Sequence, residues 1–227
     1  AVGTQVLRAT SDPTPFTGPA EEILGSSIEI LEGEQEALLV SRGAIVDIET
    51  PGPYVVCDVG GQSTEVCWQG PDGAWQPLSI PQGVVGLTER HLASDPPHRD
   101  ELAALREAVR SALTSAAPAE VSGRLIAVAG TATTLAMLAI GLEQWDRDRV
   151  HGLELSRSQV EDWLERMVTV DSETRTRTFG VRTGRSDVFP AGLGVLLELL
   201  DHFHREDFTV SANGLRIGAA LSLLEEG

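Results

Sequence analysis

Residues 54–66 read Y-V-V-C-D-V-G-G-Q-S-T-E-V, and these are residue types from which a phosphate-handling site is built. An apolar run of strand-forming residues ends in Asp58. Gly60 and Gly61 turn the chain, and Ser63, Thr64 and Glu65 lead into a second apolar stretch. Glycines let backbone N–H groups approach phosphate oxygens closely, and carboxylates beside such a turn can hold Mg²⁺, usually through water. Asp58 and Glu65 stand seven positions apart, a spacing that a hairpin can fold so that both reach its turn end. The same pattern also describes a solvated hairpin tip decorated with acids, and taken alone it divides evenly between the two readings.

A second stretch, 125–135, reads L-I-A-V-A-G-T-A-T-T-L. An apolar strand ends at Gly130, and Thr131, Thr133 and Thr134 open a helix. Free N–H groups and hydroxyls at a helix start make an anion site, and a tight packing turn capped by Thr has the same composition. A third, E-G-E-Q-E-A over 32–37, puts acids at a helix start. They either complement the helix dipole or include a general base aimed at a water. Arg182, Arg185 and Asp187 cluster in V-R-T-G-R-S-D, where Arg can grip phosphate in a bidentate manner or form an exposed ion-pair loop. The five histidines lack the spacing of a zinc site. Met137 and the four tryptophans read as packing residues. No G-x-S-x-G elbow is present, which argues against a serine hydrolase.

The elements that must position these residues sit in a chain of 227 residues, long enough for one large domain or two small ones. All 17 basic residues are arginine. Without a lysine there is no Walker-type phosphate loop and no Schiff-base chemistry. The net charge of −17 repels nucleic acid and anionic membranes, so neither is an expected partner. It repels an anionic substrate as well, so a phosphate site here needs its own local arginines or a metal. Cys57 and Cys67 lie on strands that read as paired, close enough to be neighbours, and two cysteines fit buried thiols in a reduced, cytoplasmic protein. No apolar run reaches the length of a membrane span, and no secretory leader opens the chain.

Pro51-Gly52-Pro53 is the strongest breaker and marks the expected domain boundary. Before it come a polar loop over 11–18, a helix starting near Pro19, a strand over 27–31 and a helix over 34–43. After it, strands are expected at 54–59, 64–68, 75–80, 125–129 and 208–211. Helices are expected at 83–92, 99–116, 131–141, 159–167, 191–204 and 214–225. Strands followed by helices make the chain α/β.

Taken together and in order, these segments resemble the exopolyphosphatase / guanosine pentaphosphate phosphatase (Ppx/GppA) family, of the actin-like, sugar-kinase and Hsp70 superfamily. The 3–8 segment G-T-Q-V-L-R resembles its A-T-x-x-L-R, and 30–37 its I-S-G-x-E-E-A. Residues 58–65 resemble its D-I-G-G-G-S-T-E. G-T-A-T-T-L at 130–135 and V-H-G at 150–152 match outright, while 185–192 and 210–216 resemble R-A-D-x-x-x-A-G and V-S-x-x-G-L-R. The match covers nearly the whole chain. It implies an actin-like fold, with residues 1–52 as the C-terminal part of a first domain and 53–227 as a second.

The resemblance further implies a hydrolase that releases terminal phosphate from polyphosphate or guanosine pentaphosphate. Glu36 would be the catalytic base, with Mg²⁺ held by Asp58 and Glu65. Phosphate would be bound by Gly60, Gly61, Gln62, Ser63, Gly130, Thr131 and Arg8, and the protein could be a homodimer. Two departures stand out. Gln62 replaces the third glycine of the phosphate loop, where a side chain crowds the phosphate or meets an unfavourable φ. The family's D-I-G-S-N-S segment, one wall of its cleft, is not among these residues. Both departures suit an alternative, a degenerate paralogue that binds polyphosphate or an alarmone without turnover.

Overall fold

The computed structural model describes residues 1–49 and 51–225. Its elements in chain order are β1 (Val2–Gly3), α1 (Gln5–Ala9), α2 (Thr14–Leu24), β2 (Glu29–Ile30), α3 (Gly33–Ala44), β3 (Tyr54–Val59), β4 (Thr64–Gln69), β5 (Trp75–Ile80), α4 (Val84–His91), α5 (Arg99–Ala116), β6 (Arg124–Val128), α6 (Ala129–Ala139), α7 (Arg147–Val150), β7 (Glu154–Ser156), α8 (Arg157–Val168), α9 (Ser172–Phe179), α10 (Phe189–His202), β8 (Asp207–Val210) and α11 (Leu215–Glu225). The long apolar-periodic helices and the strands from 54 onward fall where the periodicity predicts. The region expected as a loop over 11–18 is instead mostly α2, because Asp12 Oδ1 accepts from the Thr14 N–H and Pro15 sits in the first helical turn. Pro19 lies inside that helix rather than at its start. Helices α1, α7 and α9 and strand β7 have no expectation behind them. They are short, and α9 (S-E-T-R-T-R-T-F) carries no apolar period; only its Asp171 cap and Gly180 stop signal it.

Six strands form the main sheet in the order β5-β4-β3-β6-β8-β7. The central strands β3, β6 and β8 run parallel, and β4 and β5 fold back antiparallel from β3. Val55, Cys57 and Val59 alternate onto the face packed by α4, α5, α6, α8 and α10. Tyr54, Val56, Ile126 and Val128 alternate onto the opposite face, beneath Val40 and Ala44 of α3 and Leu215 of α11. Cys57 pairs with Val66 and Cys67 with Val56, so the free thiols face different cores and cannot bridge. α10 is buried along nearly its whole length. Its Glu198 is held by Arg106 Nε at 2.6 Å and Arg110 Nε at 3.0 Å, which satisfies a carboxylate that would otherwise be costly inside the protein.

Helix α3 is pressed onto α11 by glycines. A Cβ on Gly218 would stand 1.7 Å from the Leu39 carbonyl oxygen, and one on Gly43 would stand 2.2 Å from the Gly214 carbonyl oxygen. Neither backbone can retreat without lifting α3 from the sheet. Gly218→Ala is expected to destabilise the fold by about 1–3 kcal/mol, the range for overpacking a close contact, read as a lower urea midpoint. Gly18→Ala, where an added Cβ meets nothing within 4 Å, is expected to leave the midpoint unchanged or raise it, since Ala favours a helix over Gly.

Candidate active site

Three carboxylates meet where α3 begins. Asp58 and Glu65 are direct partners across the β3–β4 ladder, so both side chains rise from the face that α3 covers. Glu65 pairs in turn with Ser79 on β5, whose Oγ donates to Glu65 Oε1 at 2.8 Å. The helix start is drawn onto this spot by Gly33, where a Cβ would lie 2.5 Å from Ser79 Cβ. Glu32 and Gln35 cap the helix reciprocally. One turn in, Glu36 therefore points inward rather than to solvent. It is buried, and its Oε2 has no hydrogen-bond partner.

The local positive charge is small. Arg8 Nη1 stands 3.6 Å from Glu36 Oε2, while Arg8 also bonds Gln5 Oε1 and the Leu31 carbonyl. Burial, and then the charge of Glu65, push Glu36 up to about 7 against the pull of Arg8. Burial, then Glu65 and Glu36, push Asp58 up to about 7. Glu65 is raised as well, mainly by burial, with Ser63 and Ser79 opposing. Burial and mutual repulsion thus outweigh the one nearby counter-charge, Arg8.

The two glycine turns lie side by side. Asp58 is in register with Val128 on the adjacent parallel strand β6, so the turn after β3 and the start of α6 leave the same carboxyl edge of the sheet. Gly60 and Gly61 give their carbonyls to the N–H groups of Val84 and Val85 in α4, which anchors the loop from behind. Among the described residues, nothing accepts from the N–H groups of Gly61, Gln62 or Ser63. Entry to α6 puts Ala129 at a φ of +69°, a left-handed conformation that costs a non-glycine residue energy. No side chain caps the helix start. A cleft of about 600 Å³ opens beside it, lined by Asp58, Gly130, Thr133 and three arginines, Arg147, Arg185 and Arg216. Among the described residues Arg185 and Arg216 have no acidic partner. A chain of net charge −17 thus concentrates basic side chains at this cleft.

The description "Ppx/GppA phosphatase family" fits residues 1–226. Exopolyphosphatase 2 of Mycobacterium tuberculosis is 36% identical over 98% of this chain and 73% of its own length. The chain belongs to the Ppx/GppA phosphatase family. The guanosine-5'-triphosphate,3'-diphosphate pyrophosphatase of Pseudoalteromonas atlantica is 26% identical, and this chain spans 44% of it. Among solved structures, the Aquifex aeolicus Ppx/GppA family member superposes with a TM-score of 0.88 at 30% identity, over 100% of this chain and 74% of that one. An exopolyphosphatase-like protein superposes with a TM-score of 0.91 at 29% identity, over 99% of this chain and 77% of that one. The actin-like α/β fold is therefore that of the Ppx/GppA phosphatases, which are phosphoanhydride hydrolases.

Against the expectations for this family's site, Gln62 turns out to be no obstacle to the loop's shape. It is not among the residues with positive φ, and its amide lies toward Gly86 of α4. Thr131 is placed differently from Gly130. Its Oγ1 lies 2.4 Å from where a Gly192 Cβ would be, so its side chain packs back on α10 and only its backbone is free to face the cleft. The Arg185 guanidinium lies directly against the Gly130 backbone, its Nη1 1.4 Å from where a Cβ would stand, so a larger residue there would displace the Arg185 side chain. The reading of all four tryptophans as packing residues fails for Trp145, which is 47% exposed and lines the cleft. Arg147 and Trp145 had no positional signal in the sequence, whereas Arg185 and Arg216 stand in the segments that resemble R-A-D-x-x-x-A-G and V-S-x-x-G-L-R, without a role assigned to them there. They converge from separate loops and helix starts.

Because Glu36 and Asp58 titrate near 7 when folded and near 4 when unfolded, the folded protein binds more protons between those values. Stability contributed by these groups is present at the acid end and is lost as pH rises through about 7. Thermal melts in EDTA are expected to show Tm falling from about pH 5 to pH 8. Glu36→Gln, neutral throughout, should fall less and exceed the parent at the alkaline end. A variant that stays below the parent by the same margin at every pH would contradict the raised values.

Proposed function

We propose that this chain hydrolyses the terminal phosphoanhydride of a polyanionic substrate, polyphosphate or guanosine pentaphosphate, with Glu36 as the general base. The observation that carries this reading is the Glu36–Asp58–Glu65 cluster, in which Glu36 and Glu65 are buried and the half-buried Asp58 lines the arginine-bearing cleft. Glu36 is suited to the role in two ways. Its Oε2 is buried and makes no hydrogen bond, with the Arg8 guanidinium 3.6 Å away, so it can accept a proton from an attacking water, and its pKa near 7 matches the pH at which it would work.

Asp58 and Glu65 fit a hard divalent cation such as Mg²⁺, since they offer oxygen ligands and an uncompensated negative charge. Among the described residues no three His, Cys, Asp or Glu side chains stand close enough to hold a metal by themselves. The remaining ligands would come from water and phosphate oxygens. When bound, the ion would neutralise charge developing on the transferred phosphate.

The chain's own groups do the rest. The N–H groups of Gly61, Gln62 and Ser63 and the start of α6 at Gly130–Thr131 bind phosphate oxygens of the substrate. Arg185 and Arg216 grip phosphates farther along the chain. Arg8, tied to Gln5 and Leu31, orients Glu36 as well as adding positive charge. In this reading residues 1–52 are the tail of the first actin-like domain, 53–227 are the second, and the protein works in the cytoplasm.

Phosphate release from long-chain polyphosphate and from guanosine pentaphosphate tests the assignment. Glu36→Gln is expected to lower kcat by about 10²–10⁴-fold while leaving KM nearly unchanged, and EDTA should abolish turnover until Mg²⁺ is returned. Arg185→Ala should act mainly on KM. Turnover indifferent to Glu36→Gln would overturn the mechanism.

A further inference from the structure

Trp145 is left in an unusual position. Trp68, Trp75 and Trp163 are half-buried, and Trp163 packs edge-on to Phe179. Trp145 alone of the four is exposed, at 47%, and among the described residues it touches no other ring and no cation over its face. It is nevertheless not a loose surface residue. Its neighbour Asp146 caps α7 by accepting from the N–H groups of Asp148 at 3.1 Å and Arg149 at 3.3 Å. Arg147, next in the chain, bonds Asp47 at 3.0 Å and Asn213 Oδ1 at 3.3 Å. The backbone on the indole's C-terminal side is thus fixed, and the indole lines the same cleft as Gly130, Thr133, Arg185 and Arg216.

A bare phosphate chain presents only oxygens and has no use for an aromatic face. A nucleotide presents both an anion for the arginines and a flat π-surface for an indole. Base–aromatic stacking tolerates any base, because each has a π-face. A cleft of about 600 Å³ lies within the size range of small-molecule sites. Resting on the anion-cleft reading above, we infer that Trp145 is a stacking platform for the base of a nucleoside polyphosphate. It is a specificity-determining residue that favours nucleotide-borne phosphate chains over inorganic ones.

GTP and inorganic tripolyphosphate make a matched pair, since they share a triphosphate and differ by the nucleoside. Binding to the whole protein is measured by calorimetry and by tryptophan fluorescence. GTP is expected to quench the fluorescence and to bind more tightly than tripolyphosphate. Trp145→Ala should weaken GTP by about 10-fold or more, the scale of one lost base stack, with tripolyphosphate unchanged; Trp145→Phe should restore most of the difference. Equal GTP affinity in the parent and Trp145→Ala would overturn the inference, as would tripolyphosphate binding at least as tightly as GTP. In both cases the anion cleft itself stands. If neither anion binds, the cleft reading fails and this inference falls with it. Glu36→Gln turnover, measured separately, tells that failure apart from a misplaced base.

Discussion

The seating of α3 on the sheet is the constraint on which the site depends. Gly43 and Gly218 let two helix backbones approach until only hydrogen atoms fit between them. Gly33 brings the helix start against Ser79. These contacts bury Val40 and Ala44 over Tyr54, Val56, Ile126 and Val128. They also force Glu36 down onto Asp58 and Glu65, where water is scarce. The apolar packing of one helix face thereby holds three acids together that would separate if free.

That arrangement is electrostatically unfavourable and is kept only because packing outweighs it. One arginine, Arg8, faces the cluster at 3.6 Å and spends most of its donors on Gln5 and Leu31. Burial raises the three carboxylates first, and a single partly engaged cation does not balance them, so two of them sit near 7. Folding energy is stored here as unmet charge, and a cation with phosphate could discharge it. The same logic explains the opposite wall. Among the described residues Arg185 and Arg216 lack acidic partners, in a protein with twice as many acids as bases. Charges left unpaired in such a field are available to a ligand.

Tight anchoring runs through the cleft walls as well. His151 joins Val46 beyond α3 to the Ala212 N–H, accepting at Nδ1 from Ala212 while Nε2 faces the Val46 carbonyl at 2.9 Å. The imidazole must be neutral to do both, and burial lowers its pKa accordingly. Ser211 Oγ donates to the Ala44 carbonyl, and Asn213 Nδ2 to that of Val46. The end of the helix that carries Glu36 is therefore pinned to the loop that forms the far side of the cleft. The acid cluster and the arginine wall are parts of one packed unit.

Local pattern sufficed for much of this. The alternation in 54–59 and 64–69 and the glycine pair between them set a hairpin, and the turn's length alone put Asp58 opposite Glu65. The strand-to-helix switch at Gly130 was equally legible, as were the long amphipathic helices, because each depends on neighbours in the chain. Glu36 was nameable only through its resemblance to a family motif. Its spacing said no more than that a helix begins with acids. What the sequence could not decide depended on distance in space. Thr131 and Thr133, two residues apart, point to different environments because α10 presents Gly192 to one of them. Trp145 looked like core and is 47% exposed, on the wall of the cleft. Arg147, Arg185 and Arg216 come from three separate segments and have no common spacing. Register and turn chemistry are local and were written in the chain. Convergence of charge from distant segments is set by packing, and only the tertiary structure determined it.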